Sequence, residues 1–265
     1  MSSRAATWWS SPRDRMSDDV SRETPSVPDV ARRVFASERL PLAERYAELL
    51  ATEGVVRGLI GPREAPRLWD RHVVNCALLA AEIPADATVC DVGSGAGLPG
   101  LVLAIARPDL AVTLVEPLLR RTTFLDEVVA ELGLDRVEVV RARADALHGQ
   151  RRFGVVTSRA VAPLERLLDW SMPLVEPTGA MVAMKGSSVS EEIEKARPTL
   201  ARWGCAEPEV RVLGDGWGLS TTLAVRVAWA DPGQVSWPLA APPGGGRSHQ
   251  QTRRRRGRPN RRHGA

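Results

Sequence analysis

Hydrophobic and polar positions change their period near residue 86, and that change divides the chain. Residues 1–28 are rich in Ser, Arg, Asp and Pro without periodicity and read as a disordered extension. Across 30–50, Leu42, Tyr46, Leu49 and Leu50 fall on one helical face. A Gly/Pro-rich connection over 54–66 leads to a second helix, 68–81, with Trp69, Val73, Cys76 and Leu79 at helical spacing. Pro84 ends it. From residue 88 onward, short apolar runs at 88–92, 111–115, 137–140, 153–157, 179–184 and 223–229 read as strands, and 210–213 is a candidate partner for the last. Helical patterns at 98–106, 120–132, 163–174 and 189–203 separate them, with Gly133 placed to stop the second of these.

Strand–helix alternation predicts βαβ units and an α/β fold with a mostly parallel, doubly wound sheet. The expected organisation is therefore a disordered extension over 1–28, a small helical cap over 29–85, a Rossmann-like domain over 86–232 and a disordered tail over 233–265. Gly-Gly-Gly and Arg-Arg-Arg-Arg stretches in that tail cannot build a core.

Composition narrows the classes. A hydrophobic fraction of 43% and a charged fraction of 26% over 265 residues are those of an ordinary soluble domain with appendages. No apolar run approaches bilayer length, and the first residues lack the apolar segment of a signal peptide. Cys76, Cys90 and Cys205 stand isolated, which argues for a reducing compartment and no zinc site. The chain's net charge of +4 is uneven: residues 247–265 hold eight arginines and no acid, leaving −4 for residues 1–246.

The chemistry begins at Asp91-Val-Gly93-Ser-Gly95-Ala-Gly97-Leu-Pro-Gly100, which follows the first strand and opens the next helix. Glycines there let the backbone turn sharply and let a ligand approach closely. Glu116 ends the second strand, where its carboxylate can accept hydrogen bonds from both hydroxyls of a ribose. Gly95, Gly97 and Gly100 also satisfy the dinucleotide fingerprint, so a nicotinamide- or flavin-dependent oxidoreductase is one rival reading. Asp91 directly before glycines 93, 95 and 97 favours S-adenosylmethionine instead, a cofactor without a pyrophosphate. A non-catalytic RNA-binding assembly protein that uses the arginine tail is the second rival.

More specific pieces follow: Ala106-Arg-Pro-Asp109, Arg120-Arg121, Phe124-Leu125, Ala142-Arg143-Ala144-Asp145, Thr157-Ser158-Arg159-Ala160 and Ala183-Met-Lys185-Gly186. Together with the glycine turn they resemble the bacterial 16S ribosomal RNA guanine-N7 methyltransferases, also called glucose-inhibited division protein B, from about Ala31 to Trp229. The resemblance implies a Rossmann-like class I methyltransferase fold, S-adenosylmethionine as cofactor, and methylation of N7 of a guanine in the decoding region of 16S rRNA. It implies that Gly93 and Leu98 line the cofactor, Glu116 holds its ribose, Ala144 and Asp145 meet its adenine, and Arg159 contacts it. Two segments depart from the family pattern: Gly58-Leu-Ile-Gly61 replaces Asn-Leu-Thr, and Arg71-His72-Val-Val-Asn75-Cys76 replaces Arg-His-x-x-Asp-Ser.

Guanine N7 already carries an in-plane lone pair, so its methylation needs no nucleophile and no base, only alignment of N7 with methyl and sulfur. An arginine gripping O6 and N7 together would block the attack. Arg159 is therefore expected on the methionine carboxylate or on a phosphate. Asp145 has a second reading as a helix N-cap. Lys185 reads equally as a phosphate contact or a solvated lysine, Arg71 as an RNA contact, and His72 as a packed histidine. Arg253, Arg254, Arg255 and Arg256 would neutralise phosphates without reading sequence. The expected partner is 16S rRNA or the small ribosomal subunit, with no metal and no membrane, for a cytoplasmic monomer.

Overall fold

A computed structural model of the chain describes residues 27–215 and 222–239. Seven strands form one sheet: β1 (Thr88–Val92), β2 (Ala111–Val115), β3 (Val137–Val140), β4 (Phe153–Arg159), β5 (Val175–Lys185), β6 (Glu209–Leu213) and β7 (Thr222–Ala228). Their order is β3-β2-β1-β4-β5-β7-β6. Neighbours from β3 to β5 are parallel, and β7 runs antiparallel to both β5 and β6. The order reverses between β1 and β4. Open α/β sheets bind their ligands at such a switch point, beyond the carboxyl ends of the strands.

Alternating side chains on the central strands supply two cores. Val89, Leu114, Val155 and Val182 point to one face, where they meet α4 (Gly100–Ala106), α5 (Leu119–Leu132) and the amino-terminal helices. Cys90, Val115, Val156 and Met181 point to the other, against α6 (Leu164–Ser171) and α7 (Val189–Trp203). Residues from the amino-terminal helices, including Tyr46, Leu50, Leu68 and Leu79, share the first core with Leu101 and Phe124. Their position over α4 brings them to the edge where β1 and β4 diverge.

The helix expected over 30–50 is two helices, α1 (Asp29–Val34) and α2 (Leu40–Leu49), separated by Phe35 in an extended conformation. Pro41 explains the break, because proline fits the first turn of a helix and not its interior. Helical backbone over 69–82 is likewise irregular: a π turn at Trp69–Val73, α3 at Val74–Leu78 and a 3-10 turn at Leu79–Glu82. The helix after the glycine turn starts at Gly100 rather than at residue 98, since the residues before it make the turn. Gly133 terminates α5 in the left-handed conformation, φ +59°, as its position predicts. Strand β6 does pair with β7.

Candidate functional site

The turn after β1 is built on backbone that L side chains rarely adopt. Gly93 has φ +73° and Gly97 has φ +100°. A Cβ on Gly93 would lie 2.9 Å from a methyl of Val161, and one on Gly97 would lie 2.3 Å from Leu101 Cδ1. Asp91 is fully buried beneath this turn, and its Oδ2 accepts the Gly100 N–H at 2.9 Å. Ser94 Oγ donates to the Asp91 carbonyl at 2.9 Å. Burial pushes the Asp91 carboxyl up to about 7, although the Gly100 N–H opposes the shift; the negative charge of Glu116 adds to it. Tyr46, from α2, donates its buried hydroxyl to the Ala96 carbonyl at 2.8 Å and so fixes the middle of the turn.

Glu116 follows the last residue of β2 and is buried, with a relative exposure of 1%. Its Oε2 accepts from Gly95 N at 3.1 Å and from Arg121 Nη1 at 3.2 Å, and its Oε1 accepts from Leu118 N at 3.1 Å. These bonds clamp the second strand's carboxylate to the glycine turn. Between them opens a cavity of about 640 Å³, a volume suited to a nucleoside-sized ligand. Gly93, Gly95, Leu98, Glu116, Ala144, Asp145 and Arg159 all line it.

Arg159 ends β4 and is held from across the fold. Its Nη2 donates to His72 Nδ1 at 2.5 Å and to the Arg71 carbonyl at 3.2 Å, and its Nη1 reaches Cys76 Sγ at 3.7 Å. His72 Nε2 lies 2.9 Å from Glu64 Oε2. A guanidinium only donates, so Nδ1 must accept, and the ring proton sits on Nε2, donated to Glu64. Burial, reinforced by the Arg159 charge, holds His72 below its usual value, with Glu64 pulling the other way. After Arg159, Ala160 takes a left-handed conformation at φ +52°, a strained state for a non-glycine residue.

A second cavity of about 1010 Å³ opens on the other side of Arg159, along Arg71, Asn75, Lys185 and Glu192. His72, Arg159, Ala160 and Val161 border both cavities. The Lys185 side chain is only 8% exposed; its Nζ donates to the Ala162 carbonyl and to Glu192 Oε2, each at 2.8 Å. It is not the solvated lysine that one sequence reading allowed, and it ties the segment after β4 to α7. Arg71 is exposed at the rim of the groove and pairs loosely with Glu64 at 3.3 Å.

Seven of the nine residues expected at the cofactor therefore line one cavity: Gly93, Gly95, Leu98, Glu116, Ala144, Asp145 and Arg159. Asp91 and Gly97 shape the turn without lining the cavity. Asp145 is not a helix cap, because Arg143 occupies that position and Asp145 is the second residue of the 3-10 turn Ala144–Leu147. His72 is more than packed: both ring nitrogens are engaged. Arg253, Arg254, Arg255 and Arg256 lie outside the described residues. Sequence reasoning missed Tyr46 and Glu64, whose partners lie in other segments. Among the described residues no cluster of His, Cys, Asp and Glu suits a metal ion, and no helix is long and apolar enough to cross a membrane.

Comparison with known proteins bears on this site directly. The family profile described as GidB, rRNA small subunit methyltransferase G, matches residues 39–215, a span that contains every residue lining the first cavity. The chain is 75% identical over 249 residues to the ribosomal RNA small subunit methyltransferase G of Nocardioides sp. (strain ATCC BAA-499 / JS614), covering 94% of this chain and 100% of that protein. It is 52% identical over 238 residues to the protein of the same name from Streptomyces coelicolor, covering 89% and 98%. A solved structure, that of the glycopeptide N-methyltransferase MtfA, matches with a TM-score of 0.48 at 14% identity over 59% of this chain and 90% of that chain. By the extent of the profile match and the identity to these relatives, the chain belongs to the rRNA small subunit methyltransferase G family.

Proposed function

We propose that this protein transfers the methyl group of S-adenosylmethionine to N7 of a guanine in the decoding region of 16S rRNA, acting on the small ribosomal subunit in the cytoplasm. The observation that carries the reading is Glu116, buried in the lining of the 640 Å³ cavity and tied to the glycine turn through Gly95 N. A carboxylate there suits a ribose diol, and the turn leaves room for a ligand against backbone. Ala144 and Asp145 also line this cavity, and we assign them to the adenine. Of the five N–H bonds of Arg159, the Nε–H and one on Nη1 have no protein acceptor among the described residues. We assign them to the methionine carboxylate.

S-adenosylmethionine, when bound, supplies an electrophilic methyl on a sulfonium. The chain's contribution is geometric and electrostatic. The groove beside Arg159 admits the acceptor base, and Arg71 at its rim serves a phosphate. Lys185 holds the segment over 160–163 that separates groove from cavity. The nearest thiol, Cys76, is buried beneath Arg159 and pushed up to about 11 by that burial, so it is not the thiolate that cytosine C5 chemistry requires. The relatives named above carry the rRNA methyltransferase description along nearly the whole of this chain, which supports the acceptor.

The test is transfer of labelled methyl to small subunits lacking the modification, mapped by borohydride and aniline cleavage at N7-methylguanine. One labelled guanine in the decoding region is the expected result. Cofactor binding without label in RNA would overturn the acceptor, and absence of both would overturn the reading.

A further inference from the structure

We propose that His72 is a positioning residue for this reaction: as a neutral imidazole it fixes Arg159 at the junction of the two cavities, and its protonation releases Arg159 and weakens cofactor binding. The inference rests on the methyltransferase reading and deepens it by naming a control of the same site.

Arg159 sits between cavity and groove, and its reach must be set from outside β4. Among the described residues, the amino-terminal helical segment offers its partners: the Arg71 carbonyl, Cys76 Sγ and His72 Nδ1. The imidazole bond, at 2.5 Å, is the shortest of the three. It exists only while Nδ1 has a lone pair. Adding a proton turns that acceptor into a second donor facing a guanidinium, so attraction becomes repulsion at contact distance. Glu64 cannot prevent this, because it already accepts from Nε2 on the far side of the ring. The charged groups around the ring are Arg159 from β4, Arg71 beside it on the same segment, and Glu64 from the preceding segment. Burial, with the side chain 12% exposed, favours the neutral ring, and so do the two cations, against the single half-exposed carboxylate of Glu64.

Asparagine separates charge from shape at this position. Its Oδ1 is bonded to the same carbon as histidine Nδ1, accepts a hydrogen bond, and does not titrate. The experiment compares full-length wild type with His72→Asn and His72→Ala, measuring calorimetric affinity for S-adenosylhomocysteine from pH 5.5 to 8 and methyl transfer over the same range. Wild type should bind more weakly at pH 5.5 than at pH 8, by up to about tenfold, through loss of one hydrogen bond to a charged group. His72→Asn should lose that difference while keeping its pH 8 affinity within about threefold of wild type. His72→Ala should be weak throughout the range. Comparing variants cancels the titration of Asp91 and of the ligand's own amine. The same pH dependence in wild type and His72→Asn, or a flat wild type, would overturn the proposal. Wild-type pH dependence that vanishes in His72→Asn, in a protein that labels no guanine, would sustain it while overturning the acceptor.

Discussion

The hydroxyl of Tyr46 in α2 donates to the carbonyl of Ala96 in the glycine turn at 2.8 Å, across 50 residues of sequence. Both groups are buried, so the bond has no water to replace it. The helices before β1 are thereby tied to the glycine turn. Replacing Tyr46 by Phe leaves a buried carbonyl without that donor and should cost about 1–2 kcal/mol in urea unfolding. Because the turn loses a fixed point, affinity for S-adenosylhomocysteine should fall about three- to tenfold. A variant destabilised by that amount with unchanged affinity would show that α2 supports the fold and not the turn.

Gly100 and Gly95 make opposite demands. A Cβ on Gly100 would lie 2.3 Å from Leu114 Cδ2 and 2.9 Å from Asp91 Cβ, in the first turn of α4. A Cβ on Gly95 would meet nothing closer than the Gly93 carbonyl at 3.9 Å, although its backbone is left-handed at φ +59°. Overpacking typically costs about 1–3 kcal/mol, and a left-handed non-glycine residue about 1–2. Gly100→Ala should therefore lower the thermal midpoint more than Gly95→Ala. The reverse order would mean that Leu114 and Asp91 can move aside.

Glu116 holds three donors in the structure, from Gly95, Leu118 and Arg121. Glu116→Gln keeps two acceptor lone pairs in place, whereas Glu116→Ala abandons all three donors and the proposed ribose contact. Losing hydrogen bonds to a charged group should weaken cofactor binding by about 10- to 100-fold in Glu116→Ala, with Glu116→Gln intermediate. Calorimetry on both variants checks the order. Wild-type affinity in Glu116→Ala would remove Glu116 from the site.

The legible parts of this site were local. Glycines that need positive φ, a carboxylate one residue past a strand, and strand–helix alternation are all short-range patterns, and each occupies its expected place. What escaped is set by tertiary contact. Asp91 reads as a cofactor ligand, yet alternation along β1 turns its side chain away from Cys90 and Val92, under α4. Lys185 reads as an outward charge at a strand end, yet Glu192, one turn into α7, draws it inward. The Arg159–His72 bond joins residues 87 apart, and no periodicity in either segment announces it. Between α1 and α2, apolar spacing continued through a break that Pro41 enforces.

Asp91 gives the last prediction. Its carboxyl rises to about 7 in the folded protein, chiefly through burial, against an ordinary value of 3.8. The folded state thus keeps a proton that the unfolded chain has already released. Between about pH 4 and 7 this carboxyl makes the protein less stable as pH rises, and above that window its contribution is constant. His72 works in the opposite sense: its lowered folded value makes stability fall as pH drops through the ordinary histidine range. Asp91→Asn isolates the first effect, because the amide oxygen can still accept from Gly100 N while the side chain no longer titrates. Urea unfolding at pH 5 and pH 8 should show the variant gaining on wild type by a few kcal/mol as pH rises, since each tenfold change in proton affinity is worth about 1.4 kcal/mol. A stability difference that stays the same at both pH values would mean that Asp91 is ionised in the folded protein and that Gly100 N–H suffices to stabilise the buried charge.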